Sequence, residues 1–324
     1  MPIDLYDPDD SDIPKPARPA WYSKETARGE QAALYGNLRL QLADPLHLLL
    51  GGRLSWLKYQ STNGLTGART RDYQQRHEFT PYAGLVYDLD RQWSVYTSYA
   101  DTFQPQSSYV TSSGSPLDPA IGANYEAGTK GDLYDGRLNL SAAVFAVKKS
   151  GIAVVDESNP GGCTGSLASS DCYRNGSTLR SKGFELEASG ELSPGWQVMA
   201  GYTFVTSRDD EGETISAETP RHLFRLSTTY RLPGRWNAFS VGGGVSAQSG
   251  YSYPAYDDTS VRMGAPGRAV WDLRAGYRID KHWSLALNVA NVFDKHYYGM
   301  VSQIRRGNHF GEPRNVMLTL RGTL

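Results

Sequence analysis

The segment Tyr251-Ser252-Tyr253-Pro254-Ala255-Tyr256 puts three tyrosines within six residues, in a stretch whose Ser and Pro mark a hairpin top or loop. Phe103, Tyr109, Tyr73, Arg305, Arg306 and His309 stand in or beside other irregular stretches. Aromatic rings beside cations suit a ligand that is large, partly planar and often anionic, such as a chelate. We take Phe103, Tyr109, Tyr251, Tyr253, Tyr256, Arg305 and Arg306 as the candidate ligand-binding set. The plainer alternative for any one of them is a solvated loop side chain.

Bond-making chemistry is not written in the chain. Its six histidines (His47, His77, His222, His282, His296 and His309) are scattered. Gly-x-Ser-x-Gly, His-Glu-x-x-His and the P-loop pattern do not occur. Glu185 and Glu187 share a strand face, as a sugar-cleaving enzyme would need, but no partner carboxylates face them from a neighbouring strand. Asp257-Asp258 and the run Asp209-Asp210-Glu211-Gly212-Glu213 lack EF-hand spacing and read as solvated loops. No enzyme, resident metal or cofactor is therefore expected. A net charge of −1 advertises no nucleic-acid partner. Cys163 and Cys172 lie in a Gly/Ser-rich stretch without metal-ligand spacing. That favours a loop disulfide in an oxidising compartment over two free thiols.

The elements that must carry these loops alternate with a period of two. In 267–279, Ala269, Trp271, Leu273, Ala275 and Tyr277 interleave with Asp272, Arg274, Gly276 and Arg278. In 137–148, Leu138 to Ala146 do the same until Phe145 breaks the polar face. Such alternation gives each strand one apolar and one polar face. Thirteen strands are predicted, near 31–43, 46–59, 76–88, 92–103, 123–133, 137–148, 178–191, 196–207, 221–232, 237–249, 267–279, 282–293 and 313–324. Short turns such as Asp44-Pro45, Asp135-Gly136 and Ser193-Pro194-Gly195 alternate with long loops at 60–75, 104–122, 149–177, 208–220, 250–266 and 294–312. Aromatics (Tyr87, Trp93, Tyr134, Trp196, Tyr230, Trp236, Tyr277 and Trp283) gather beside the short turns. Short turns on one side, long loops on the other and an aromatic girdle describe an outer-membrane barrel wall. A soluble β-sandwich would have shorter strands and no girdle. No apolar run of about 18 residues exists, as a barrel requires none. Residues 1–29, acidic and Pro-rich at their start, read as an irregular segment without the basic and apolar regions of a signal peptide.

Several stretches carry a family resemblance. Asn288-Val289-Ala290-Asn291-Val292-Phe293-Asp294-Lys295-His296-Tyr297-Tyr298, followed by Gly311-Glu312-Pro313-Arg314-Asn315, resembles the C-terminal end of TonB-dependent siderophore receptors of the ferripyoverdine and ferric-coprogen group. Tyr96 to Gln106, Asn124 to Gly131 and Lys182 to Ala188 fit the same family in the same order. The resemblance implies an all-β, antiparallel transmembrane barrel segment. It would supply about 13 strands of a 22-stranded barrel, residues 30–324, with the plug domain absent. It also implies energised uptake of a ferric siderophore, with hydroxamate groups, at the Gram-negative outer membrane. The partners would be the iron chelate and outer-membrane lipid or lipopolysaccharide, with the TonB complex acting only through the missing plug. By itself the chain would then not transport. A passive porin-like or surface-binding barrel is the alternative. With the C-terminus in the periplasm, the long loops face outward, the one with Cys163 and Cys172 among them.

Overall fold

The computed structural model describes residues 24–159, 163, 171–210, 212, 220–254, 260–301, 304 and 307–323, with the side chains of Tyr253 and Pro254 excepted. Its strands are β1 (Glu25–Ala43), β2 (Leu46–Asn63), β3 (Arg69–Asp88), β4 (Trp93–Val110), β5 (Pro116–Leu133), β6 (Leu138–Val155), β7 (Tyr173–Ser193), β8 (Trp196–Arg208), β9 (His222–Arg231), β10 (Phe239–Gln248), β11 (Tyr251–Pro254), β12 (Arg262–Ala265), β13 (Arg268–Arg278), β14 (Trp283–Ala290), β15 (Tyr298–Met300), β16 (His309–Phe310) and β17 (Asn315–Gly322). Thirteen of them form one antiparallel sheet in which each strand pairs with the next in sequence, from β1 to β10 and then β13, β14 and β17. The hairpins β11–β12 and β15–β16 stand apart, within the two long connections near the C-terminus.

Register carries the period-two pattern across the whole sheet. Phe239, Tyr277 and Leu285 face one another, as do Val241, Ala275, Leu287 and Leu318. The same face continues through Ala200, Ala188, Leu140 and Leu226. Many of its apolar side chains are exposed, including Val144 at 60%, Leu273 at 56% and Leu318 at 65%. Leaving a Leu-sized side chain in water forgoes about 1.5–3 kcal/mol. A whole face of them is tenable only in hydrocarbon. The opposite face presents Glu126, Lys130, Glu187, Arg225, Asp272, Arg274 and Asn288 and is the polar, luminal one.

Aromatic layers bound the apolar face at both ends. At the short turns, Trp196 meets Tyr230 edge-on, and Phe239 lies against both Trp236 and Tyr277. Toward the long loops, Tyr99 pairs with Tyr125, and Phe184 touches Tyr202 and Phe204. The short turns place the tryptophans. Asp90 Oδ1 accepts from the Gln92 and Trp93 amides, and Asp280 Oδ1 accepts from those of His282 and Trp283. Each Asp-x-x-Trp turn thus delivers a Trp to the membrane interface.

Cross-strand glycines receive aromatic rings. Tyr82 covers Gly51, Tyr96 covers Gly128, Trp93 covers Gly131 and Phe145 covers Gly183, each so closely that a Cβ at the glycine would overlap the ring. Phe145, which breaks the polar face of its strand in sequence, is there to fill the space above Gly183.

Two expectations are corrected. β1 begins at Glu25, so residues 25–29 are strand rather than part of an irregular segment. The loops expected at 60–75 and 104–122 are mostly strand, and only 64–68 and 111–115 connect β2 to β3 and β4 to β5. The reason is geometric. At ~3.3 Å per residue, an 18-residue strand runs about 60 Å, far more than the ~25 Å apolar band of a barrel. Outside the membrane, backbone groups still pair across the hairpin, and the wall continues as strand.

Candidate ligand-binding site

Above the membrane band, the extended ends of β3 to β7 build a compact cluster. Gln106 in β4 is buried and bridges three strands. Its amide donates to Asp118 O (2.7 Å) and Gly151 O (2.8 Å), while its oxygen accepts from Ala153 N (2.7 Å). Asn175 in β7 donates to the same two carbonyls. The Arg71 guanidinium donates to Ser107 O, tying β3 to β4, and burial lowers its pKa. These clamps hold the β4–β5 and β6–β7 hairpins side by side.

On that frame sit the aromatics. The Tyr109 and Tyr173 rings are 4.7 Å apart and tilted. Beside them Val110, Cys163 and Cys172 form a small buried cluster, and the two cysteines are disulfide-bonded. The disulfide stitches the long β6–β7 connection to the base on which Tyr173 begins β7. Its carboxyl held low by the Asn159 side-chain amide, Asp156 turns the chain just before. Tyr73 is 3% exposed, and its phenol has no hydrogen-bond partner among the described residues. It lines a cleft of about 430 Å³ with Asp72, Gln74, Gln75, Leu117 and Asp118. Burial first, then Asp118 and Glu78, push the phenol up to about 12. At neutral pH it keeps its proton, with its oxygen buried beside the cleft.

A second cluster follows β14. Asn291, buried at positive φ, donates to Lys295 O and Glu312 O and accepts from Lys295 N. Asp294 accepts from Arg314 N, and Asp272 from Asn291 N. This net fixes the loop that carries Tyr297, Tyr298 and Phe310, of which the last two stack at 4.9 Å. Arg268 lies over the Tyr297 ring and donates to Tyr298 O. On the luminal face, a groove of about 900 Å³ crosses β7 to β14, with Glu187, Arg225, Asp272, Arg274 and Asn288 in its lining.

The expected ligand residues fall into separate places. Tyr109 joins the β3–β7 cluster, whereas Phe103 shares the outer face with Tyr99 and Asp101 by its register with Ile121. Tyr251 begins the β11–β12 hairpin, opposite Ala265. The backbone of Tyr253 pairs with Met263, but its side chain, like Tyr256, Arg305 and Arg306, lies outside the described residues. Gln106, Tyr173 and the luminal arginines were missed by the sequence reading. The polar alternation of β9 and β13 signals the arginines, but nothing local signals Gln106, whose partners lie on other strands. The groups at hand can hold a ligand by rings, amides, a phenol and guanidinium ions.

Comparison with known proteins agrees with this geometry. The family model described as TonB dependent receptor-like, beta-barrel matches residues 2–292. The Ferric-pyoverdine M114 receptor PbuA of Pseudomonas sp. (strain M114) is 36% identical over 95% of this chain and 38% of its own length. The ferripyoverdine receptor of Pseudomonas aeruginosa is 38% identical over 96% of this chain and 38% of its own. The crystal structure of the P. aeruginosa outer-membrane receptor bound to ferripyoverdine superposes with a TM-score of 0.82 at 37% identity, covering 97% of this chain and 41% of that one. The chain thus spans about two fifths of the length of these relatives. With its thirteen antiparallel strands, two aromatic girdles and apolar outer face, it belongs to the outer-membrane family of TonB-dependent receptor β-barrels.

Proposed function

We propose that this chain is the ligand-facing wall of a receptor that takes up a ferric siderophore across the outer membrane, with energy supplied through the TonB system. The observation that carries the reading is the cluster above the membrane band: the Tyr109–Tyr173 pair on the frame held by Gln106 and the Cys163–Cys172 link. A ferric siderophore arrives with its iron already coordinated by oxygen donors. It needs no protein ligand to the metal, only flat surfaces and hydrogen-bond donors for the oxygen-rich periphery. The exposed Gln74 side-chain amide offers such a donor beside the cleft, and the tyrosine pair offers the surface. The relatives named for ferric pyoverdine support an iron chelate as the cargo, and the family resemblance implies hydroxamate groups in it. Arg225, Arg274 and Asn288 line the luminal path below. Outer-leaflet lipid surrounds the apolar face.

The test is a hybrid receptor in receptor-null cells, in which this chain replaces the matching part of a ferripyoverdine receptor. Uptake of radioiron-loaded siderophore that requires an intact energised inner membrane supports the proposal. Passive entry of small sugars with no energised iron uptake would replace it with a porin-like role.

A further inference from the structure

Immediately above the outer aromatic layer, the lipid-facing side of the sheet turns basic at one place. In register across β6, β7 and β8 stand Lys148, Arg180 and Arg208, and Lys182 lies two residues below Arg180 on the same strand face. The pairing is unbroken from these residues down to Val144, Phe184, Leu186 and Phe204, so all four cations project from the same face as the membrane-contacting apolar side chains. All four are exposed. Neighbouring strands lie ~4.8 Å apart and alternate residues ~6.6 Å apart, so the four Cα atoms fall within about 12 Å of one another.

The nearest carboxylates, Asp209 and Asp210, follow Arg208 at the end of β8. Arg180 shares Asp210 at 3.6 Å. Lys148, Lys182 and Arg208 have no ion pair among the described residues. At the far end of the row, Asp101 is engaged by the Tyr99 hydroxyl at 2.5 Å. Glu185 and Glu187 belong to the opposite, luminal face. Three unpaired cations next to hydrocarbon-facing rings are unfavourable unless an anion sits at that depth, since the low dielectric nearby raises their mutual repulsion.

We propose that Lys148, Arg180, Lys182 and Arg208 form a binding site for the phosphate groups of an outer-leaflet glycolipid whose acyl chains lie along Val144, Leu186 and Ala200. Both halves of the ligand are matched. The cations meet doubly charged phosphates at headgroup depth, and the apolar strand face below meets the chains. The lysine pair and the guanidinium ions give point-charge and bidentate contacts, respectively. This site rests on the outer-membrane location of the family and not on the identity of the siderophore.

The test uses the full chain in a nonionic detergent, with retained lipid counted by native mass spectrometry. The probes are bisphosphorylated lipid A, its dephosphorylated form and inorganic phosphate. Wild type is expected to hold lipid A more tightly than the dephosphorylated lipid. Combined Lys148→Gln, Lys182→Gln and Arg208→Gln substitution should weaken lipid A binding by about tenfold or more. The luminal Arg225→Gln change and the charge-keeping Lys148→Arg and Lys182→Arg changes should leave it intact. Each single Gln substitution is measured as well and should show a smaller loss, which covers a triple variant that fails to fold. The proposal is overturned if the Gln variants bind lipid A as wild type does. It is overturned equally if dephosphorylated lipid binds as well, or if inorganic phosphate displaces lipid A at equal concentration. That last outcome would mark a site for free anions.

Discussion

Replacing Asn291 by Ala should loosen the last two strands of the sheet. The side chain is 2% exposed and makes three hydrogen bonds, to Lys295 O (2.9 Å), to Glu312 O (3.0 Å) and from Lys295 N (2.8 Å). Each is worth about 1 kcal/mol net, and their loss leaves buried backbone groups without partners. The residue also sits at φ 49°, where Asn is tolerated and Ala costs about 1 kcal/mol more. The sum is about 4 kcal/mol. It falls on the loop joining β14 to β17, because Lys295 and Glu312 are the two sides of that loop. Urea unfolding in lipid or detergent should show the loss, and hydrogen exchange should locate it at the Lys295 amide. The β14–β17 amides should open next, with those of β2 and β3 unchanged. If the Ala variant lies within about 0.5 kcal/mol of wild type with Lys295 still protected, the loop is held by something other than Asn291.

Gln106→Ala should cost about 1–3 kcal/mol, because the Ala153 amide is left without its acceptor while the Asp118 and Gly151 carbonyls keep Asn175; faster exchange of the Ala153 amide is the readout. Tyr73→Phe should leave stability unchanged or raise it by up to about 1 kcal/mol, since the phenol is buried without a partner among the described residues, as urea unfolding would read. The same phenol, raised in the folded protein from 10.0 to about 12, binds its proton more tightly when folded. Stability is therefore unaffected by this group below pH 10 and falls as pH climbs from 10 toward about 12, and ultraviolet titration of wild type against Tyr73→Phe measures the raised pKa. Opening the Cys163–Cys172 link by Ser substitution should lower local stability by about 2–3 kcal/mol, read as faster proteolysis between β6 and β7.

The strand count was legible because a wall between hydrocarbon and water must alternate, and each of the thirteen strands does so where it crosses. Beyond the membrane both faces meet water. The alternation then stops, and residues 60–63, 69–75 and 104–110 look like loop although they are strand. The Asp-x-x-Trp turns were visible as aromatics beside turns. Their mechanism lies in two side-chain hydrogen bonds that only coordinates reveal. The Cys163–Cys172 pair was readable from a separation of nine residues. In contrast, Asn291 stood out within its motif without disclosing its work, which reaches 21 residues along the chain to Glu312. Phe103 and Tyr109 seemed equivalent in sequence. Register sends Phe103 to the outer face, while Tyr109, beyond an irregularity at Gln104 to Gln106, meets Tyr173.

The central claim is that the Tyr109–Tyr173 cluster meets a ferric siderophore. The direct measurement is equilibrium binding of a radioiron-loaded hydroxamate siderophore to intact cells carrying the hybrid receptor, with and without Tyr109→Ala and Tyr173→Ala. Saturable binding that falls at least about tenfold in the double variant, with the receptor still at the surface and the disulfide still formed, is the predicted result. Binding equal in both proteins would place the ligand elsewhere and contradict the account.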